Sequence, residues 1–594
     1  MTTNSSENLI SGRGGEFEGG PEIQPLPLND TGAEDNKISV ARYLVSLIED
    51  LNINFVPVLQ GGAIMKMIDE VGESKKLNYI VPNHEQALAM MVDCYARLKG
   101  FGVGMVTSGP GAVNLATGIA CSYYDSIPCL YITGQVGMFH VTGDRKVRQR
   151  GFQETDVVSV LRPITKFSEM ITKAEDARYI FEKAIHLATS GRPGPVIIDL
   201  PYNVQREMIN PETLRGYIPQ RLDYTSGKDV SNVAKEVVQK LRRAKKPLLL
   251  VGGGVRVSNM DKKILKLVQK TGLPVVTTWG AADIFTVDLA MYLGNVGNSG
   301  SPAGVKSVQA CDLLLCLGTR FTPKIIINEK KFAEQAEVIA VDIDPAELEE
   351  GITLPKVKIN ADLKEFIPAL IENAGENNFI TLDWKKQILD LKSENVLPTT
   401  PNESGAFVDP FKFVRELFQE ATDNTIFITD AGANLTWVMQ GHKIKKGQRL
   451  ISAWGNSPMG YSFPASIGAY FADKSRPVVA LIGDGGLQMN IQELQTVVGN
   501  NVNLKLFILN NRCFGNIIMG ARREFDGRIH GNDASTGYTV PDFIKISHAY
   551  GLKTETIDND SGLTKKIQTI LKTKGALVID INIDPHEEHD GIRI

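Results

Sequence analysis

From Ile38 onward, short runs of apolar, often β-branched residues alternate with stretches in which apolar positions recur every third or fourth residue. The runs are VGMVTSG (103–109), PCLYITGQ (128–135), PVIIDLP (195–201), PLLLVGGG (247–254), DLLLCLGTR (312–320) and EVIAVDID (337–344), then TIFITDAG (425–432), PVVALIGDGG (477–486), LKLFILNN (504–511) and ALVIDINI (576–583). A continuous apolar run predicts a strand covered on both faces, and helical spacing between runs predicts βαβ units. The expected fold class is α/β, with mostly parallel sheets flanked by helices.

Two polar, Pro- and Gly-bearing regions break the rhythm. NPETLRGYIPQ and YTSGKD lie in the first, ENAGENN and SENVLPTTPNESGAFVDP in the second. They predict linkers over 204–230 and 374–409, and hence three domains of ordinary size: 37–203, 231–373 and 410–585. The first and third domains both place glycine-rich turns after strands and are candidates for one shared fold. Residues 1–36, rich in Gly, Ser, Glu and Pro, predict a disordered tail rather than a secretory signal or an Arg-rich transit peptide. The ending HEEHDGIRI (586–594) reads either as a solvated tail or active-site flap, or as a second metal site.

Composition narrows the function classes. With 43 % hydrophobic and 22 % charged residues and a net charge of −4, the chain shows no basic footprint for nucleic acid and no polybasic stripe for a membrane. No apolar run reaches the ~18 residues of a membrane span. Cys94, Cys121, Cys129, Cys311, Cys316 and Cys513 lack CxxC spacing and are expected to be buried thiols in a reducing compartment, the cytoplasm.

The densest chemistry lies in 477–516. An apolar run ends at Ile482 and delivers Gly483-Asp484-Gly485-Gly486; a helical segment follows (Gln492, Glu493, Leu494, Thr496, Val497). A second run, 504–509, ends in Asn510-Asn511, 26 residues after Asp484. Ligands of open α/β sheets bind beyond the carboxyl ends of strands, where both polar clusters fall. Mg²⁺ takes hard oxygen ligands, one or two from side chains and the rest from phosphates and water. Asp484 offers a carboxylate, Asn511 an amide oxygen, and the next turn the backbone carbonyl of Cys513. Gly485 and Gly486 let N–H groups at a helix start approach a diphosphate closely, with Phe514 and Gly515 beside it.

GDG followed by NN across a strand–helix–strand unit resembles the signature of the thiamine-diphosphate enzymes. HEQ (84–86), TSGPGA (107–112), ITGQ (132–135) and GFQETD (151–156) extend the likeness to the acetolactate synthase branch, over about residues 38 to 585. The resemblance implies three catalytic candidates. Glu85 would hydrogen-bond the aminopyrimidine ring nitrogen of thiamine diphosphate. Met459, in GNSPMGYSFPASIGA (455–469), would wedge under the cofactor. Gln153, with Phe152, would lie near the reacting carbon as a neutral hydrogen-bond donor. DAGANLTW (430–437) stands where the family has a phosphate-anchoring turn, with Gly432, Ala433 and Asn434 as contacts. The resemblance further implies pyrimidine-binding, central and diphosphate-binding domains, with sites built between subunits of a homodimer or homotetramer.

The middle segment departs from the branch. TPKIII follows Arg320-Phe321 where the branch has DDRVTG, LGNVGNSGS (293–301) replaces LGMHG, and GANLTW replaces GQHQMW. Whether FAD is bound therefore stays open. The implied reaction is decarboxylation of a small 2-oxo acid, pyruvate, and ligation to an acceptor. That acceptor is a second 2-oxo acid, an aldehyde or a keto-sugar nucleotide. A simple decarboxylase is a further alternative, although Asn83-His84 stand where such enzymes pair two histidines. A catalytically silent scaffold is disfavoured because Glu85, Asp484 and Asn511 are all present.

Overall fold

The computed structural model describes residues 36–220, 229–351, 355–375, 378–393 and 405–586. The expected disordered tail, but for its last residue, and the HEEHDGIRI ending beyond His586 lie outside the described residues. Every apolar run quoted above contributes a strand, and each joins a parallel sheet. The first sheet runs Asn78–Ile80, Phe55–Pro57, Gly102–Val106, Cys129–Gln135, Val196–Pro201, Phe167–Met170, with its first pair joined to the rest through a bridge between Val58 and Met105. The third runs Arg449–Ile451, Ile426–Thr429, Val478–Gly483, Lys505–Asn510, Leu577–Asn582, Lys553–Ile557. Numbered along the chain, both have the order 2-1-3-4-6-5, so the first and third segments do share a fold. The middle sheet, Tyr292–Asn295, Val275–Thr277, Pro247–Val251, Leu313–Leu317, Glu337–Asp342, Val357–Asn360, has the order 3-2-1-4-5-6 of dinucleotide-binding folds.

In the helix Glu85–Lys99 the residues from Ala87 to Ala96 are all buried. One side packs on the first sheet and the other on the helix Ser462–Ala472, where a Cβ on Gly468 would fall 2.2 Å from the Met91 carbonyl oxygen. Met90, Met91, Phe463, Ile467 and Ile508 consequently belong to one apolar core spanning the first and third sheets. The segments read as linkers are partly packed. Met208–Ile209 pairs antiparallel with Ile38–Ser39, and the helix Leu382–Ser393 buries Trp384, whose indole N–H donates to the Pro247 carbonyl at 2.9 Å. The six cysteines are buried and free. Among the described residues no helix is long and apolar enough to cross a membrane.

Candidate active site

Asp484 opens the turn after the strand Val478–Gly483 and is 2 % exposed. Gly483 pairs with Leu509 on the neighbouring strand, so Asp484 and Asn511 emerge side by side at the carboxyl edge. The carboxylate accepts hydrogen bonds from the Tyr538 hydroxyl (2.9 Å) and from the backbone N–H of Arg512 (2.6 Å) and Gly485 (2.5 Å). Burial pushes the Asp484 carboxyl up to about 6 against the pull of those donors. No cation of the chain pairs with it among the described residues, and a bound divalent ion would supply that charge. Arg512 takes a left-handed φ of 56°, which turns the chain back over Asp484. A Cβ on Gly515 would stand 2.9 Å from the Asn511 amide nitrogen, so a side chain there would crowd the second ligand candidate. The Cys513 thiol donates to the Pro585 carbonyl, and burial pushes it up to about 12; it stays a thiol, which leaves only the backbone carbonyl for a metal. Met459, Phe514 and Tyr538 converge on Gly485, each 2.8 to 2.9 Å from where its Cβ would sit.

The other cluster surrounds Glu85, which is 8 % exposed at the first position of its helix. The Asn114 amide donates to Oε2 at 3.0 Å, and a Cβ on Gly111 would lie 3.0 Å from Oε1. Gly111 thus keeps one carboxyl oxygen uncovered. Gln153 reaches the same loop: its carbonyl oxygen is 2.3 Å from the Cβ position of Gly109, in a backbone with φ of 61°. Its side chain is exposed, as is Phe152 at 85 %. Glu85, Gln153 and the 107–112 loop therefore come together, and so do Asp484, Asn511, Met459, Phe514 and Gly515. Among the described residues no hydrogen bond of the chain joins Glu85 to Asp484.

Three family models match in chain order: the N-terminal TPP binding domain of thiamine pyrophosphate enzymes over 38–160, the central domain over 234–370, and the C-terminal TPP binding domain over 430–581. The chain belongs to the thiamine pyrophosphate enzyme family. Among its relatives in that family are a probable acetolactate synthase large subunit of Methanocaldococcus jannaschii, 32 % identical over 92 % of both chains, and the acetolactate synthase large subunit of Cyanidium caldarium, 34 % identical over 88 % of this chain and 89 % of the relative. That of Lactococcus lactis is 31 % identical over 91 % of this chain and 92 % of its own. The protein is a thiamine-pyrophosphate-dependent enzyme of acetolactate synthase type, as the motifs implied.

For an enzyme of this family the donor set suits the metal. One carboxylate and one amide leave positions for phosphate and water, as Mg²⁺ prefers, and no cluster of three or more His, Cys, Asp or Glu among the described residues offers a closed cage. The anchoring turn fits through its backbone. Gly432 has φ of 93° and caps the helix Ala433–Gly441, whose first-turn N–H groups, those of Ala433 and Asn434, have no carbonyl behind them. The Asn434 side chain is engaged internally, donating to the Ala431 carbonyl (2.7 Å) and accepting from the Thr429 hydroxyl (3.0 Å). FAD fares differently at Gly252-Gly253-Gly254. The N–H groups of Gly252 and Gly254 donate to the carbonyls of Leu317 and Gly318, and a Cβ on Gly252 would fall 2.1 Å from the latter oxygen. Close packing on Gly318 accounts for Gly252 and Gly254, whereas a Cβ on Gly253 would meet nothing nearer than 3.8 Å; the Thr319 hydroxyl is buried nearby without a partner. The N–H groups of Gly252 and Gly254 are thus spent within the chain rather than offered to a dinucleotide phosphate.

Several residues that hold the thiamine pyrophosphate site together escaped the sequence. Asp430, 1 % exposed, accepts from the N–H groups of Gly460 and Ser462 (2.8 and 3.3 Å), securing the loop that carries Met459. A Cβ on Gly486 would lie 2.2 Å from the Asp430 carboxylate, which is the packing reason for the second glycine after Asp484. Glu493 is fully buried and accepts from the Asn83 N–H at 3.1 Å, fixing the turn before Glu85, while Asn490 donates to the Gly460 carbonyl at 2.8 Å. Asp430 and Glu493 stood in quoted motifs without a role. Tyr538, 54 residues beyond Asp484, had no motif at all.

One buried carboxylate beside the Gln153 turn gives a pH prediction. Asp199 accepts from the Thr133 hydroxyl (2.7 Å) and the Gln135 amide (2.9 Å), and the same amide donates to the Thr155 carbonyl (2.8 Å). Burial raises Asp199 from 3.8 to about 7, and the nearest charge, Asp156, pushes the same way. The folded state therefore holds a proton that the unfolded state releases. Its contribution is complete below about pH 4 and is lost as pH rises towards 7, by about 1.4 kcal/mol per pH unit within that window. Asp199→Asn keeps the amide network and removes the titration, so its melting temperature relative to the parent should rise between pH 5 and pH 8. A constant difference across that range would contradict the assignment.

Proposed function

We propose that the enzyme is a Mg²⁺-dependent decarboxylating carboligase that takes pyruvate, or a close 2-oxo acid, as donor. What carries this is the pair of buried clusters: an acid with one uncovered oxygen at Glu85, and oxygen ligands at adjacent strand ends at Asp484 and Asn511. Asp484, Asn511 and the Cys513 carbonyl would hold the metal; Gly485, Gly486 and the first-turn N–H groups of Ala433 and Asn434 would hold the diphosphate. When bound, thiamine diphosphate supplies a nucleophilic carbon and an electron sink for decarboxylation.

The chain's own residues do the rest. Asn114 fixes Oε2 of Glu85, which would leave Oε1 to hydrogen-bond the aminopyrimidine ring nitrogen of the bound cofactor. Met459, whose methyl lies 2.9 Å from the Cβ position of Gly485, would wedge against the bound cofactor, and Gln153 would donate to the substrate oxygen. Glu85 and Asp484 lie on different domains, which in this family's arrangement supports sites shared between two subunits, in a homodimer or homotetramer. The relatives' printed name, acetolactate synthase, supports carboligation, and the buried free thiols support a reducing compartment such as the cytoplasm. Domains 37–203, 231–373 and 410–585 would be the pyrimidine-binding, central and diphosphate-binding parts.

The test is incubation of the purified protein with pyruvate, thiamine diphosphate and Mg²⁺, with products identified by NMR. Release of CO₂ with a carboligation product is expected. Absence of decarboxylation for pyruvate and its homologues alike would refute the proposal.

A further inference from the structure

Between the strand Cys129–Gln135 and the Gln153 turn, the charge of the chain changes character. In a protein of net charge −4, residues 145–150 read Arg-Lys-Val-Arg-Gln-Arg, four cations in six positions with Asp144 the only acid among their immediate neighbours. All four are exposed, and none makes an ion pair among the described residues. Arg145 reaches only the carbonyl oxygens of Val141 and Thr142, at 3.2 and 3.1 Å. Like charges this dense repel one another and are unfavourable unless an anion arrives.

The loop is nonetheless built. The carboxylate of Glu154 closes its neck, accepting from the backbone N–H of Thr142, from the Thr142 hydroxyl (2.5 Å), and from the N–H groups of Arg150 (3.0 Å) and Gly151 (3.2 Å). Gln149 adds a bond to the Glu154 carbonyl at 2.9 Å. The one carboxylate at the base is thereby engaged by backbone donors, and the cations are left unneutralised. The neck opens beside the site. Gln153 follows Phe152 directly, and its carbonyl packs on Gly109, two residues from the Gly111 that faces Glu85.

We propose that Arg145, Lys146, Arg148 and Arg150 form the recognition site for an acceptor that carries a diphosphate, a nucleotide-linked carbonyl compound. This rests on the assignment of Glu85 and Gln153 to the reacting centre. A small 2-oxo acid brings one carboxylate, which one cation satisfies. A diphosphate brings two or three charges spread over several oxygens, which a fork of guanidinium groups matches. The ring of Phe152, 85 % exposed at the end of the loop, offers a flat apolar face of the kind on which a nucleobase stacks.

The experiment is calorimetric titration of the protein saturated with thiamine diphosphate and Mg²⁺, using uridine diphosphate, inorganic pyrophosphate and pyruvate as separate probes. It is run on the parent and on the variant Arg145→Gln/Lys146→Gln/Arg148→Gln/Arg150→Gln, whose exposed positions leave folding intact. Uridine diphosphate is expected to bind the parent, about tenfold or more weaker to the variant, and to weaken with added salt. Tighter binding of uridine diphosphate than of pyrophosphate assigns the nucleoside to the site; equal binding assigns it to the phosphates alone. Equal affinity of parent and variant, no saturable binding to either, or a loss confined to pyruvate would each overturn the proposal. CO₂ release from pyruvate, measured on the same parent sample, is the separate readout of the proposed function. Its failure would remove that function while the titration still decided what the loop binds.

Discussion

Glu85→Gln should lose roughly 10²- to 10⁴-fold in turnover, the range general acid–base groups contribute, with cofactor binding little changed. The substitution keeps the size of the side chain, and an amide oxygen still accepts from Asn114. What disappears is the carboxyl group that would serve the aminopyrimidine ring nitrogen as acid and base, and with it the means of activating the bound cofactor. The decisive measurement is exchange of the thiazolium C2 proton with deuterium, quenched in acid and read by NMR, which reports activation before any substrate enters. Exchange in the variant at the parent's rate would remove Glu85 from the activation step, whatever happened to overall turnover.

Asp484→Asn should act on binding instead. The carboxylate is the charged member of the proposed metal pair and lies in a site with 2 % exposure. Replacing it by a neutral amide should weaken metal-dependent cofactor binding about 100-fold or more, beyond the 10–100-fold typical of residues that merely support a metal ligand. At fixed ligand concentration such a loss erases the thermal stabilisation that cofactor and Mg²⁺ give the parent. A parent-like ligand-induced shift in the variant would rule out Asp484 as the metal residue.

How much of this was legible in the sequence follows from where each residue sits. Strands central to a sheet, such as Leu313–Leu317 and Lys505–Asn510, are buried along their whole length and read as unbroken apolar runs. Edge strands did not announce themselves: Asn78–Ile80 has two of three residues exposed, and Lys553–Ile557 buries only its last. The residues proposed for the metal were visible because strand ends and glycine turns are local events. Asn114, Asp430, Asn490, Glu493 and Tyr538 were not, since each acts through a contact made only after folding. The bond from Asn83 to Glu493 spans 410 positions. The burial of the Glu85 helix on two sides was hidden for the same reason, because its second apolar face meets a helix that begins at Ser462.

The doubled strand order has a geometric consequence. The helices following the second strand of each sheet, Glu85–Lys99 and Ser462–Ala472, pack against each other, so one chain approximates a two-fold object on its own. The turn after each third strand then occupies an equivalent place: in one half it is the 107–112 loop over Glu85, in the other it is Asp484 with its glycines. The long excursion after each fourth strand is likewise paired. One carries the cations and Gln153; the other carries Asn511 and Tyr538. Under the proposed function a single architecture serves twice, once for the reacting end of a cofactor and once for its anionic tail.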